Sequence, residues 1–147
     1  MDPQLRTFTV REANQVIPAI SKLLLELKEK QERVLKLETE IDVLELVSSQ
    51  GNEQSTQELN RLIGVHHEHV TEFYAIVDQI HQHGCLLKDV EAGLVDFYSV
   101  FDGKVVYLCW KLGEEKVAHW HEVGEGYAYR KPIDARQNQG KDVEDQV

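Results

Sequence analysis

Ten positions spaced alternately three and four residues apart dominate the first third of this chain: Ala13, Val16, Ile20, Leu23, Leu27, Lys30, Val34, Leu37, Ile41 and Leu44. Only Lys30 breaks the apolar rule. Residues at that spacing share one face of an α-helix, and a stripe sustained this long needs a partner helix to bury it. The other faces carry Glu, Lys, Arg and Gln, which suit solvent. Ile17, Leu24, Leu25, Leu35, Val43 and Leu46 widen the apolar surface beyond one seam, so more than one neighbour is expected. Lys30 on the seam reads most simply as a packed alkyl stem with its ammonium reaching water. The alternative is a pair with an acid across a dimer interface.

The ends of this helix are marked. Thr9 and Glu12 have the spacing of a capping box, in which each side chain satisfies a backbone donor of the first turn. Phe8 stands where a hydrophobic staple would, and Pro18 removes a donor and should bend the helix near its start. The helix spans about residues 10–48. Ser48 to Asn52 is a break, with Gly51 free to turn left-handed. Ser55 and Glu58 repeat the capping spacing, and Leu59, Leu62, Ile63, Val70, Phe73, Ile76, Val77 and Ile80 carry a second helix over about residues 56–83, ending near Gly84. The short connection makes the two helices antiparallel neighbours. The first is the longer, so its N-terminal end needs another cover.

From Gly93 the apolar period changes from helical to two. Leu94 to Phe101, Val105 to Leu112 and Val117 to Val123 read as strands. Asp102-Gly103 is a two-residue hairpin turn and Gly113 to Glu115 a three-residue one. The chain is thus read as α+β: a long, coiled-coil-like antiparallel helical hairpin followed by a small three-stranded antiparallel β-meander over about residues 94–123. The meander is expected to cover the start of the first helix. Residues 1–133 form one domain, and 134–147 a disordered acidic tail.

Charge and composition narrow the function. The formal net charge is -10, which repels phosphate backbones and argues against nucleic acid. A cation or a basic partner suits that sign better. No apolar run approaches the roughly 20 residues that span a bilayer, and the first residues lack the pattern of a secretory signal. Two cysteines, Cys85 and Cys109, have neither metal-finger spacing nor the look of a disulfide framework, so a reducing cytoplasm is the expected location.

The hairpin turns set a register. Phe101 opposite Lys104 places Asp96 opposite Cys109, and Leu112 opposite Lys116 places Cys109 opposite His119. One face then shows Val95, Phe97, Val106, Leu108, Trp110, Ala118 and Trp120, a core face. The other shows Asp96, Tyr98, Tyr107, Cys109, His119 and His121. Carboxylate, thiolate and imidazole are metal ligands, and neutral imidazole also suits acid–base work. The plainest reading of this face is a polar surface that meets water. A metal or small-ligand site ranks second and a catalytic site third, for no HExxH, CxxC or nucleophile elbow is present.

Other features take structural readings first. His66 falls on the seam of the second helix and His69 at its edge, while His67 points outward. A buried polar position that fixes register is preferred there over a shared cation. His81 and His83 sit at a helix C-terminus, where the macrodipole favours imidazolium. Glu122 to Tyr127, with Gly124 and Gly126, is a tight turn and not a phosphate loop. Arg130 and Lys131 are expected to pair with Glu122 or Glu125.

Several segments resemble one family. Phe8-Thr9, Glu12-Ala13-Asn14 and Pro18 open the first helix. Gly93-Leu94-Val95-Asp96-Phe97, Val106-Tyr107-Leu108-Cys109-Trp110, Gly113-Glu114, Trp120-His121 and the stretch from Gly126 to Pro132 follow. In this order they are similar to an uncharacterised prokaryotic family, domain of unknown function 2203, from about Phe8 to Ile133. The resemblance implies this fold and carries no established activity. It directs attention to Asp96, Glu114 and His121, which match the family pattern.

Two functions of different class follow. One is a divalent-cation site (zinc, iron or manganese) with Asp96, Glu114 and His121 as core ligands and Cys109 or His119 as auxiliary ones. An open coordination position there would allow hydrolysis. The other is a non-enzymatic interaction protein, a homodimer or a docking module for a protein partner, joined through the helical stripe. A dimer would frame a pocket lined by Tyr98, Tyr107, Trp110 and Trp120.

Overall fold

The computed structural model describes residues 6–49, 51 and 53–137. Two helices, α1 (Val10–Ser48) and α2 (Glu53–Gln82), precede the strands β1 (Leu86–Asp89), β2 (Leu94–Phe101), β3 (Lys104–Lys111), β4 (His119–Glu122) and β5 (Lys131–Pro132). The strands form one antiparallel sheet in the order β1-β2-β3-β4-β5. The meander read from the sequence is therefore the middle of a five-stranded sheet. The chain divides into two compact units. One gathers the residues up to Leu24 and from Gln79 onward, and the other is Leu25–Asp78.

In the first unit, the capping box forms as the sequence dictates. Thr9 N–H donates to Glu12 Oε1 at 2.8 Å, and Glu12 N–H donates to Thr9 Oγ1 at 3.0 Å. Ala13, Ile17, Ile20 and Leu24 then line the buried side of α1. Phe8 packs edge-on against Phe97 with centroids 5.0 Å apart, a geometry worth about 1 kcal/mol beyond its burial. β1 pairs only with Leu94–Asp96 of β2. Phe8 continues that edge: its N–H donates to Tyr98 O at 2.7 Å, and its carbonyl accepts the Ser99 hydroxyl at 2.6 Å. Asn14 Oδ1 accepts the Val117 N–H at 2.8 Å. The sheet end of the chain thus covers the start of α1, as its excess length requires.

Asp102 and Gly103 both take positive φ, 52° and 76°, which is the hairpin turn with primed geometry. The register follows: Phe101 opposes Lys104 and Asp96 opposes Cys109. Cys109 opposes His119 as well, but the link is wider than a three-residue turn. Pairing stops at Cys109–His119, because Glu114 folds back to accept the Lys111 N–H at 2.8 Å. The third strand is accordingly His119–Glu122, shorter than Val117–Val123.

In the second unit, Lys30 pairs with Glu72 and lies 3.2 Å from His69 Nδ1, and Glu38 meets His66 Nε2 at 3.1 Å. Lys30 with Glu72 and Glu38 with His66 run in opposite senses along the chain, so the helices are antiparallel. Gly51 in the connection has φ 88°. α2 starts at Glu53, two residues before Ser55, so Ser55 and Glu58 lie inside the first turns and do not form its cap. Glu58 instead holds Arg61 at 2.6 Å. The Lys30 stem packs while its ammonium reaches an exposed acid of α2, so it needs no acid from a second chain.

Asp134 and Gln137 exchange two hydrogen bonds, at 3.0 and 2.7 Å, which closes one turn where the acidic tail was expected to begin. Residues 138–147 of that expected tail lie outside the described residues. Among the described residues no helix is long and apolar enough to cross a membrane.

Candidate metal centre on the sheet

The face expected to meet water is buried. Asp96 is 2% exposed, Cys109 0% and His121 2%. Alternation sets these side chains opposite the apolar core, and Arg130, from the segment after β4, reaches Cys109 there. Tyr98 and Tyr107 pack with tilted rings, centroids 4.8 Å apart, and share a hydroxyl hydrogen bond. Lys88 of β1 lies over the Tyr107 ring at 4.9 Å, and Arg130 lies over Tyr127 at 4.3 Å.

Asp96, Cys109 and His121 come from three adjacent strands, β2, β3 and β4. One ligand atom of each lies within 4.8 Å of the other two. His121 Nδ1 sits 2.9 Å from the Glu122 carbonyl oxygen. A carbonyl only accepts, so Nδ1 carries a proton and Nε2 is the nitrogen left to face the triad. Nε2 lies 3.1 Å from Asp96 Oδ2. A ring nitrogen and a carboxylate oxygen this close in a dry site have a proton or a cation between them. Asp96 Oδ1, also buried, has no hydrogen-bond partner.

Burial raises Asp96 above its ordinary value, against the pull of His121. Burial and the adjacent Asp96 carboxylate push the Cys109 thiol up to about 12, against Arg130. Such a thiol is no nucleophile at neutral pH, since the thiolate is the attacking species. Both free cysteines are buried.

Glu114 does not join the triad. Its carboxylate takes two bonds from Arg130, at 3.0 and 2.5 Å, and one from the Lys111 N–H. Burial raises its pKa, but Arg130 and Lys111 more than offset this and hold it below the ordinary glutamate range. A carboxylate so neutralised makes a poor ligand, and this corrects its place among the core ligands. Arg130 pairs with Glu114 and not with Glu122 or Glu125, whose partners are Lys104 and Lys131. The segment from Gly126 brings Arg130 back across the sheet, which spacing alone does not reveal. His119 is half-buried, opposite Cys109, and its Nδ1 is buried without a partner.

The four expected pocket aromatics divide between the two faces. Tyr98 and Tyr107 lie beside the triad. Trp110 opposes Val95 and Trp120 opposes Leu108, on the core face. Trp110 donates its indole N–H to the Glu114 carbonyl at 3.1 Å, and Trp120 is flanked by Phe101 and Lys131. One pocket does not take all four. Among the helical histidines, half-buried His66 and His69 bond across the hairpin, and His81 accepts the Leu87 N–H.

The sequence pattern of the family described as Uncharacterized conserved protein (DUF2203) matches residues 6–133. The chain belongs to this family. The match covers α1, α2 and all five strands, so the triad, Glu114 and Arg130 lie inside the family region. The family carries no assigned activity, and no curated protein or solved structure matches the chain.

Proposed function

We propose that the protein binds one divalent transition-metal ion at Asp96, Cys109 and His121. The observation that carries this reading is the opposition of His121 Nε2 and Asp96 Oδ2 across 3.1 Å, with the Cys109 sulfur beside them. A cation between the three satisfies the lone pair, the carboxylate and the thiolate together. Two anionic ligands and one neutral one balance a doubly charged ion, which a buried site requires. Thiolate with imidazole favours zinc over the harder manganese. The Glu122 carbonyl fixes the His121 tautomer, as the outer partner of a metal-binding histidine commonly does. Donors this buried suit an ion that ties β2, β3 and β4 together better than one that meets a substrate.

Elemental analysis of protein purified without an affinity tag or added metal tests the proposal. Near-stoichiometric zinc or iron is expected, lost in the Asp96→Ala, His121→Ala double variant while circular dichroism keeps its helical signal. No metal in the parent, even after dialysis against zinc, iron and manganese, would overturn it.

A second reading concerns Leu25–Asp78. Leu25, Leu35, Val43, Leu46, Ile63 and Tyr74 are 45–72% exposed there. Neighbouring Glu26, Lys28, Glu29, Arg33 and Lys36 mix both charge signs, which suits an antiparallel copy of the same face. A homodimer through this hairpin predicts a doubled mass in sedimentation that Leu35→Glu, Leu46→Glu returns to the single-chain value. A parent that sediments as one chain refutes it.

A further inference from the structure

We propose that His119 is the fourth ligand of the same ion, so that the site is a closed four-coordinate centre without a position for water. The inference rests on the three-ligand reading above. Two observations beyond that reading support it. The first is register: His119 stands directly opposite Cys109 across β3 and β4, on the triad's face of the sheet. Directly opposed residues of an antiparallel pair have Cβ atoms about 5 Å apart. The second is the side chain itself. His119 Nδ1 is buried and has no hydrogen-bond partner, although a ring nitrogen out of water ordinarily finds one.

The two histidines of β4 flank Trp120, and strand alternation turns both towards one face. Trp120 points the opposite way, where Phe101 packs against it at 5.4 Å. The donor set becomes one carboxylate, one thiolate and two imidazoles. Four such ligands close a tetrahedral zinc site, whereas hydrolytic zinc keeps one position for water. The three-strand row of Asp96, Cys109 and His119 would then hold the ion from one side and His121 from the other. Arg130 hydrogen-bonds towards the Cys109 sulfur while its guanidinium is held by Glu114.

Cobalt(II) titration of the metal-stripped full chain is the test, with wild type, His119→Ala, His119→Cys and His67→Ala compared by visible absorption. Wild type and His67→Ala should show the intense visible bands of four-coordinate cobalt together with near-ultraviolet thiolate charge transfer. His119→Ala should keep the charge transfer but lose most of the visible intensity, as water raises the coordination number. Its zinc affinity should fall as well. His119→Cys should restore the visible bands. Unchanged visible intensity in His119→Ala overturns the fourth ligand while leaving the triad standing. Absence of charge transfer in wild type overturns the triad itself, and this inference with it.

Discussion

His121 sits on β4 and Asp96 on β2, with β3 between them and two residues of offset, yet His121 Nε2 lies 3.1 Å from Asp96 Oδ2. The Glu122 carbonyl behind the imidazole holds this reach, and both side chains are buried. It makes Asp96→Asn an informative variant. The amide can donate to the Nε2 lone pair, so metal-free Asp96→Asn should be at least as stable as the metal-free parent. Zinc should raise the parent's Tm and leave that of Asp96→Asn nearly unmoved. Thermal melts with chelator and with zinc decide it; an equal zinc response in both proteins would remove Asp96 from the site.

Glu114 and Arg130 give the sheet a pH dependence of known sign. The folded-state pKa of Glu114 lies below the ordinary value of 4.5. Its contribution is therefore complete above that value and fades as the pH falls below it. Glu114→Gln should lose on the order of 1–3 kcal/mol at neutral pH, since Arg130 is left half-paired in a partly buried position. The gap to the parent should shrink towards the most acid conditions in which both remain folded. Urea unfolding across that range measures it, and a gap that does not vary with pH would argue that the pair contributes packing alone.

Gly93 and Gly103 share a left-handed backbone but not their surroundings. A Cβ at Gly93 would lie 2.6 Å from Leu112 Cβ, while nothing stands within 4 Å of one at Gly103. Gly103→Ala should cost about 1–2 kcal/mol for the left-handed conformation alone. Gly93→Ala should cost more, because Leu112 and the β2–β3 end must move. Denaturation midpoints of equal size would show that Leu112 yields freely.

Thr9→Ala removes one half of the capping box and should destabilise by about 1 kcal/mol. Thr9→Ser should recover most of it. Calorimetry of the two variants separates the lost hydrogen bond from any effect of the lost methyl group.

The helical hairpin and the β2–β3 register were legible because each rests on local chemistry. Thr9 with Glu12, Gly51, Gly84 and Asp102-Gly103 act within a few residues of themselves. Three things were hidden. β1 and β5 are four and two residues long, too short to show a period, and Pro132 argues against a strand on its own. The polar face of the meander alternates in the same way whether it meets water or a lid, so burial of Asp96, Cys109 and His121 was not readable. The opposed tyrosines and Cys109, uncommon on a wet surface, were the available hint. Glu114 was misplaced because a loop carboxylate's direction depends on what returns to meet it, and Arg130 returns from sixteen residues away.

The bonds of Phe8 to Tyr98 and Ser99 also set an order of events during synthesis. The Ser99 hydroxyl and the Phe8 carbonyl are 91 residues apart in the chain, whereas Lys30 and Glu72 are 42 apart. As the polypeptide leaves the ribosome, the hairpin contacts can close before β2 has emerged. The start of α1 must then wait with Phe8 and its apolar side uncovered until two-thirds of the protein exists. Contacts of such long separation form late and slowly. The nascent N-terminus is thus the stretch with the longest exposure to chaperones, proteases and other unfinished chains.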